Sequence, residues 1–338
     1  MGRLSNKKIH KPTTDLKNYF WIISGIPKIG KTSLFAKIIK EKYGDLKKGL
    51  LIAFETGYEA LNVFAEDVTD WDDFEDLVDD LIENKDEYDI EFLGLDTLDI
   101  MWDFAQDKVI EEWNRENPNL YAQDINSVGM KKPGGKGFGV GYNRAAKKIK
   151  NTIAKLRRAG YGLMGITHSK EEHKEEKSGL EYDQLTLSLS GSARKVFLND
   201  ASMVVFITSE KVQEGDELIT KRIMHLRNDS YIEGGCRFEN IPEKIEYSSK
   251  KLLEVFEEAV KSVGEYTEEK RKAQYREPKK TLADIKKEII NIATKKSNEG
   301  KKKEIINAIA ENNDGNQNPN AINDIVTAQT VLEAVKKV

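Results

Sequence analysis

Short apolar runs alternate with amphipathic segments over the first two thirds of the chain. The runs consist almost entirely of apolar or small residues, which is typical of strands that are buried on both faces. They cover residues 19–24, 49–54, 91–95, 162–167 and 202–207. Helical periodicity lies between them, in residues 32–42, 71–83, 98–113 and 144–158. This alternation predicts an α/β fold in which helices flank a mainly parallel, twisted sheet.

The C-terminal third follows a different pattern. Residues 218–239 have the character of antiparallel edge strands that close the sheet, with a turn around residues 233–235. The charged segment 264–280 contains Pro278 and indicates a linker. Residues 281–338 hold two or three short helical patterns, interrupted by the Asn-rich run 312–320. We therefore expect a basic N-terminal tail (1–15), a core (16–263), the linker and a small helical C-terminal module (281–338).

Charge is segregated along the chain, although the net charge is only −4. Residues 66–89 contain thirteen Asp or Glu and a single Lys, whereas residues 131–158 contain ten Lys or Arg and no acidic residue. A basic block of this kind indicates a local surface for an anionic partner such as nucleic acid. A solvated helix face is the alternative interpretation of the same block.

Simple counts disfavour several classes of protein. No apolar run approaches the ~20 residues that span a bilayer, so we expect no membrane partner. Cys236 is the only cysteine, which excludes an internal disulfide and fits a reducing, cytoplasmic location. With one cysteine and four histidines, no zinc site of recognisable spacing can be assembled.

One motif points to a specific chemistry. Residues 25–32 match the phosphate-binding pattern G-x-x-x-x-G-K-[ST] and lie between a predicted strand and a predicted helix, as the pattern requires. The glycines let backbone N–H groups point at phosphate oxygens, helped by the helix N-terminus. Lys31 would neutralise the β- and γ-phosphates of ATP, and Thr32 would bind Mg²⁺. The predicted nucleotide-binding residues are Gly25, Ile26, Pro27, Lys28, Ile29, Gly30, Lys31, Thr32 and Ser33.

Three further polar residues follow predicted strands. Asp96 ends the third strand, where a carboxylate can hold Mg²⁺ or simply cap a helix, and Asp99 is the fallback. Glu55 ends the second strand, which we expect beside the first, and it would polarise a water at the γ-phosphate unless it is an ordinary loop acid. His168 ends the fourth strand and would sense the γ-phosphate, or else serve as a cap or a surface residue. With the phosphate loop, these residues predict a Mg-dependent ATPase.

The order of these motifs resembles that of the RecA superfamily, in which a glutamate follows the second strand, an aspartate the third and a polar residue the fourth. The segments Ser-Gly-Ile-Pro-Lys-Ile-Gly-Lys-Thr and Gly-Ile-Thr-His-Ser-Lys are similar to those of phage-encoded RecA-like ATPases, the minimal recombinases grouped with single-strand-annealing proteins. The resemblance covers roughly residues 16–245 and implies a RecA-like P-loop NTPase core. It implies nucleotide contacts for Lys31 and Thr32, a magnesium contact for Asp96, general-base chemistry for Glu55 and a sensor role for His168.

The resemblance also implies contacts with a neighbouring subunit and with DNA. RecA-like assemblies bring basic residues of a neighbouring subunit to the nucleotide. Arg227 would take that role, while His225 stands where related ATPases often have lysine. The DNA-contacting loops of RecA proteins correspond to about residues 125–145 and 170–194, and cations with interleaved aromatic rings suit single-stranded DNA. The predicted DNA-binding residues are Lys131, Lys132, Lys136, Phe138, Tyr142, Arg144, Lys170 and Lys174.

The sequence therefore favours an ATPase that oligomerises on single-stranded DNA, as a filament or a ring, and promotes homologous recombination or strand annealing. The position of the C-terminal module suggests that it recruits a partner such as a single-strand-binding protein. Two alternatives stay open: a DNA motor or helicase loader of the same superfamily, and a P-loop phosphotransferase that does not act on DNA. If a phage encodes the chain, the host cytoplasm is the expected location.

Overall fold

The computed structural model describes residues 11–175, 181–214, 217–229, 231–263, 282–296, 300–313, 315–323 and 325–338. The chain divides into two compact units, Met1–Glu265 and Tyr266–Val338. The predicted linker 264–280 and residues 1–10 of the predicted N-terminal tail lie outside the described residues. The first unit contains the sheet, and the second is helical.

A mostly parallel sheet forms the centre of the first unit. Its strands are β1 (Phe20–Gly25), β2 (Gly49–Ala53), β3 (Ala65–Asp67), β4 (Phe92–Asp96), β5 (Gly162–Glu175), β6 (Glu181–Leu187), β7 (Met203–Glu214), β8 (Glu217–His225), β9 (Gly235–Cys236) and β10 (Lys244–Glu246). Within the described residues, six parallel strands lie in the order β7, β1, β5, β4, β2 and β3, and β8 and β10 extend the β7 edge in antiparallel fashion. The predicted α/β class and mainly parallel sheet are confirmed.

Both faces of the inner strands β1, β2 and β4 are buried, which explains why these strands are continuous apolar runs. Along β1, Phe20 and Ile22 pack into one core, whereas Trp21 and Ile23 pack into the other. All six residues of β1 are buried. Burying a large apolar side chain contributes about 1.5–3 kcal/mol, so a strand of this composition is most stable in the middle of the sheet.

Helices cover both faces of the sheet. They are α1 (Lys31–Tyr43), α2 (Trp71–Glu83), α3 (Lys85–Tyr88), α4 (Leu98–Glu116), α5 (Val140–Arg158), α6 (Gly191–Asp200) and α7 (Ser249–Ser262). Buried residues of α2, α4, α5 and α6 share a core with Phe20, and those of α1 and α7 share the other core with Trp21. Across the described ranges, no helix combines the length and the apolar character that crossing a bilayer requires.

Two antiparallel hairpins extend past the carboxyl edge of the sheet. β1 ends at Gly25, opposite His168 and Ile207, but β5 and β7 continue to Glu175 and Glu214. The extensions pair with β6 and β8. We call residues 169–175 with 181–187 the β5–β6 ribbon, and residues 208–214 with 217–223 the β7–β8 ribbon. The loop expected for residues 170–194 is therefore wrong, because much of it is paired strand and α6 begins at Gly191.

The predicted edge strands in residues 218–239 are confirmed in part. β8 is antiparallel to β7, and β9 adds a short antiparallel pairing to β7. No hairpin turn occurs at residues 233–235, because Gly235 already pairs with Val204 and the backbone N–H of Glu233 donates to Leu185 of β6. Ile232 and Glu233 instead pair with Leu185 of β6, just before β9 pairs with β7.

The second unit contains three helices within its described residues, α8 (Leu282–Lys296), α9 (Lys302–Glu311) and α10 (Ile325–Lys337). Ile289, Ile305 and Val331 are almost fully buried in their common core. A short 3-10 turn, Pro319–Ala321, lies at the end of the Asn-rich run, and the Asn318 side chain accepts a hydrogen bond from the backbone N–H of Asn320. The Asn-rich run therefore separates α9 from α10.

Candidate nucleotide-binding site

The loop between β1 and α1 ends in unpaired backbone N–H groups. Lys31, Thr32 and Ser33 open α1 and have no carbonyl one turn earlier within the helix. The chain bends sharply just before them, because Gly30 has a φ of +107° and Lys28 a φ of +63°. These donors and the positive end of the helix dipole favour an anion such as a phosphate group.

Two residues far along the chain support this loop. Arg222 donates from Nη1 to the carbonyl oxygen of Ile29 at 3.0 Å, and the Tyr247 hydroxyl donates to the carbonyl oxygen of Gly30 at 2.8 Å. The Arg222 guanidinium lies 4.0 Å from the centre of the Tyr247 ring. No motif in the sequence marks either residue. The fold thus adds a cation and an aromatic ring beside the phosphate loop that the sequence did not predict.

Gly30 is confined by these two side chains. A Cβ at this position would lie 2.7 Å from Nη1 of Arg222 and 3.0 Å from the Tyr247 hydroxyl. Left-handed backbone also costs a residue with a Cβ about 1–2 kcal/mol. We expect Gly30→Ala to weaken ATP binding by at least about tenfold, as measured by calorimetric titration.

Gly44 provides the matched control for this variant. It also has a left-handed φ, +75°, but nothing lies within 4 Å of a Cβ placed there. Gly44→Ala should therefore lower thermal stability modestly and leave ATP affinity unchanged. An affinity of Gly30→Ala equal to that of Gly44→Ala would show that Arg222 and Tyr247 do not constrain the loop.

Lys31 is buried at the centre of the loop. Its Nζ donates to the carbonyl oxygens of Gly25 and Ile26 at 3.0 and 3.1 Å, and it lies 3.2 Å from Nδ1 of His168. Burial lowers the pKa of Lys31, while the nearby carboxylates of Asp96, Asp99 and Glu55 oppose that shift. A buried ammonium group whose direct partners are two carbonyl oxygens and an imidazole nitrogen, rather than a carboxylate, is well suited to bind phosphate oxygens.

Thr32 and Asp96 form an oxygen pair beside Lys31. Thr32 Oγ1 donates to Asp96 Oδ2 at 2.7 Å, although β4 lies two strands away from β1. Burial raises the pKa of Asp96, and the hydrogen bond from Thr32 opposes the rise. Hydroxyl and carboxylate oxygens suit a hard cation such as Mg²⁺. Among the described residues no group of three or more His, Cys, Asp or Glu could hold a metal alone, so water or phosphate oxygens would complete the coordination of a bound Mg²⁺.

Glu55 and His168 meet across the carboxyl edge of the sheet. The expectation that β2 adjoins β1 is wrong, because β5 and β4 lie between them. The Glu55 carboxylate nevertheless lies 3.8 Å from Nε2 of His168, and the other ring nitrogen faces Lys31. The His168 ring therefore lies between Lys31 and Glu55.

Asp99 lies in the first turn of α4 and does not contact Thr32. Its Oδ2 accepts from Thr167 Oγ1 at 2.7 Å and from the backbone N–H of His168 at 3.2 Å. Its Oδ1 accepts from the Ser188 hydroxyl. Asp96, and not the fallback Asp99, is the carboxylate that pairs with Thr32.

Arg227 and His225 both make contacts within their own chain. Arg227 donates to the carbonyl oxygens of Ile241 and Phe238 at 2.8 and 3.3 Å. His225 is buried against Thr208 and Glu210, at 2.9 and 3.0 Å from its Nε2, and burial lowers its pKa. A role for Arg227 in a neighbouring subunit's site stays a prediction.

The glycine-rich loop before α5, residues 129–139, exposes several of the predicted DNA-binding residues. Phe138 is 94% exposed and has a φ of +51°. Lys131, Lys132 and Lys136 are also exposed. Gly137 packs against the backbone of residues 126–128, so the loop has a defined backbone path despite its glycines. DNA contact by these four side chains stays a prediction.

Tyr142 and Arg144 lie on a helix and not on the loop, because α5 begins at Val140. Tyr142 stacks on Trp102, with ring centres 6.4 Å apart and an angle of 8° between the planes. The Arg144 guanidinium lies 5.5 Å from the centre of the Trp113 ring and 3.7 Å from Glu116. DNA contact by Tyr142 and Arg144 stays a prediction.

The remaining basic residues divide into paired and unpaired groups. Lys174 pairs with Glu172 on the β5–β6 ribbon at 2.9 Å, whereas Lys170 is exposed. On α5, Lys148 pairs with Glu112 and Lys155 with Asp79 of the acidic helix α2. The basic and acidic blocks of the sequence therefore partly neutralise each other. Exposed residues of α5 that have no carboxylate partner among the described residues are Lys147, Lys150, Arg157 and Arg158.

Comparison with known proteins supports the same assignment. The search of the curated proteins finds no match. A family model described as AAA domain matches residues 17–238, which contain the phosphate loop, Glu55, Asp96 and His168. This match spans most of the first unit and well over half of the chain. The chain therefore belongs to the AAA domain family, and its first unit is a P-loop ATPase domain.

Proposed function

We propose that this protein is a RecA-type ATPase that hydrolyses Mg-ATP, oligomerises on single-stranded DNA and promotes homologous recombination or strand annealing. The observation that supports the ATPase proposal is the position of the His168 ring between Lys31 and Glu55. These three residues lie at or just after the carboxyl ends of β5, β1 and β2, where a triphosphate in the loop would meet all of them.

The residues have complementary roles in this proposal. The loop N–H groups and Lys31 bind the triphosphate, and Thr32 with Asp96 would hold Mg²⁺. When bound, Mg²⁺ supplies charge neutralisation at the phosphate oxygens. Glu55 takes the proton from a water that attacks the γ-phosphorus, and the bond to ADP breaks. The first residue after Asp96 is Thr97 and not a second acid, so Glu55 is the carboxylate best placed to act as base.

Surface charge supports the DNA part of the proposal. The exposed lysines of the glycine-rich loop and Lys170 lie in segments that follow α4 and the parallel part of β5. Phe138 adds an exposed ring that could stack on a base. The net negative charge of the chain makes any such contact local, and binding should weaken steeply as salt increases.

ATP hydrolysis measured with and without oligothymidine tests this proposal. We expect single-stranded DNA to stimulate turnover and to bind at low salt. Replacement of Lys131, Lys132, Lys136 and Lys170 by alanine should weaken binding and reduce the salt slope by about 0.7 for each lost phosphate contact. A matched control removes four exposed lysines of α1 and α7, Lys40, Lys250, Lys251 and Lys261.

The outcomes of this experiment separate the candidate functions. If ATP turnover does not change when DNA is added, and no DNA binds at low salt, the proposed role on DNA is excluded and only the proposed ATPase activity remains. Directional movement along DNA would indicate a motor or a helicase loader. Transfer of the γ-phosphate to an acceptor other than water would indicate a phosphotransferase.

A further inference from the structure

One carboxylate joins the nucleotide site to the base of the β5–β6 ribbon. Asp99 accepts hydrogen bonds from Thr167 Oγ1, the backbone N–H of His168 and the Ser188 hydroxyl. Thr167 and His168 lie on β5, just before the ribbon starts. Ser188 directly follows β6, whose last residue Leu187 pairs with Ser169. Asp99 therefore fastens both strands of the ribbon where they leave the sheet.

The backbone of His168 is held at the same point. Its carbonyl oxygen accepts from Ser24 Oγ at 3.1 Å and from the backbone N–H of Ser188 at 2.9 Å. Ser24 precedes the first glycine of the phosphate loop. Contacts of His168 thus link β1, α4 and the returning strand β6, while its ring contacts Lys31 and faces Glu55.

The base of the ribbon also contains spare hydrogen-bonding groups. Ser169 Oγ and Thr186 Oγ1 are buried and have no hydrogen-bond partner among the described residues. Buried hydroxyls without partners are uncommon, and each can gain a bond if the strands shift. By contrast, Asp99 accepts three hydrogen bonds at this point, and hydrogen bonds to a carboxylate are stronger than those between neutral groups. Asp99 is therefore the side chain on which the hydrogen bonds at the base of the ribbon converge.

We propose that Asp99 is a positioning residue that orients His168 and couples the nucleotide state of the loop to the β5–β6 ribbon. This inference rests on the proposed ATPase function. When the γ-phosphate binds or leaves, a shift in the position of His168 moves the Asp99 carboxylate. Ser188, which donates to the same carboxylate, then shifts with it. By reciprocity, a ligand that binds the ribbon changes nucleotide affinity through the same contacts.

The test combines steady-state kinetics with hydrogen exchange in the full chain. We expect Asp99→Asn to lower kcat by about ten- to a hundredfold with little change in KM, because His168 and Glu55 lose their alignment. In the wild type, a non-hydrolysable ATP analogue should change amide exchange in β6, and Asp99→Asn should abolish that change while it still binds the analogue. Thr167→Ser should retain both properties, and Thr167→Val should lose part of each.

Asp103→Asn is the matched control, since it removes the same charge one turn later on α4, where Asp103 is exposed. The inference is overturned if Asp99→Asn has the same kcat as Asp103→Asn and shows the same change in β6 amide exchange when the ATP analogue binds. It is also overturned if Asp99→Asn loses kcat and melting temperature together while the exchange change persists. The exchange experiment needs only nucleotide binding, so a wild type that binds ATP without hydrolysing it would refute the proposed function and still test the role of Asp99.

Discussion

Lys31→Ala is expected to lower kcat/KM for ATP by at least about 10²–10³-fold, the cost of removing one preorganised charged donor from such a site. The Lys31 ammonium group is the one buried cation inside the described part of the loop, and its contacts are two loop carbonyls and the His168 ring. Without it, the loop would offer the phosphates no buried ammonium group. Turnover and nucleotide affinity should be measured together.

Lys40→Ala is the control for this variant. Lys40 lies on the same helix, is exposed and donates to the carbonyl oxygen of Gly44 at 2.9 Å. The Lys40→Ala variant should hydrolyse ATP like the wild type. The melting temperature of Lys31→Ala should stay close to that of the wild type, because the change removes an ammonium group that is costly to bury, as its lowered pKa indicates. Wild-type ATP affinity and turnover in Lys31→Ala would refute the nucleotide site.

Glu55→Gln is expected to retain ATP binding and to lower kcat by about 10²–10⁴-fold, the usual contribution of a general base. Glutamine keeps the shape of the side chain beside His168 but cannot take a proton from water. The loss should therefore appear in kcat and not in nucleotide affinity. A single-turnover experiment with excess enzyme would show whether the chemical step itself is slow.

Glu59→Gln makes the matched comparison, because Glu59 is an exposed acid four residues later in the same loop. It should behave like the wild type in binding and turnover. If Glu55→Gln hydrolyses ATP as fast as Glu59→Gln, then another group activates the water and Glu55 is an ordinary loop acid. A loss of binding in Glu55→Gln alone would indicate a role in nucleotide contact instead.

The sequence predicted best those features that depend on residues close together along the chain. The five predicted parallel strands all form, because a run that is apolar at almost every position is most stable when both of its faces are buried. The charged extensions of β5 and β7 were missed for the converse reason. Ribbon strands that leave the sheet are exposed, so backbone pairing defines them and no apolar period marks them. The start of α5 was placed four residues late for a related reason, since a glycine-rich approach hides it.

Some site residues could not be found from the sequence, because the contacts that define them join residues far apart along the chain. Arg222 and Ile29 are 193 residues apart, and Ser188 and Asp99 are 89 residues apart. Arginine and serine at such positions have no distinguishing pattern. The stacking of Tyr142 of α5 on Trp102 of α4 is likewise a contact that the sequence did not indicate.

The sequence by itself determined the phosphate loop, since its glycines, lysine and threonine are contiguous and their geometry follows from the local turn into a helix. It also determined the alternation of strands and helices. Only the tertiary structure decided which strand ends meet. The order of strands depends on how the whole chain packs, and it places Asp96 beside Thr32 and Glu55 beside His168 although β5 and β4 separate β2 from β1.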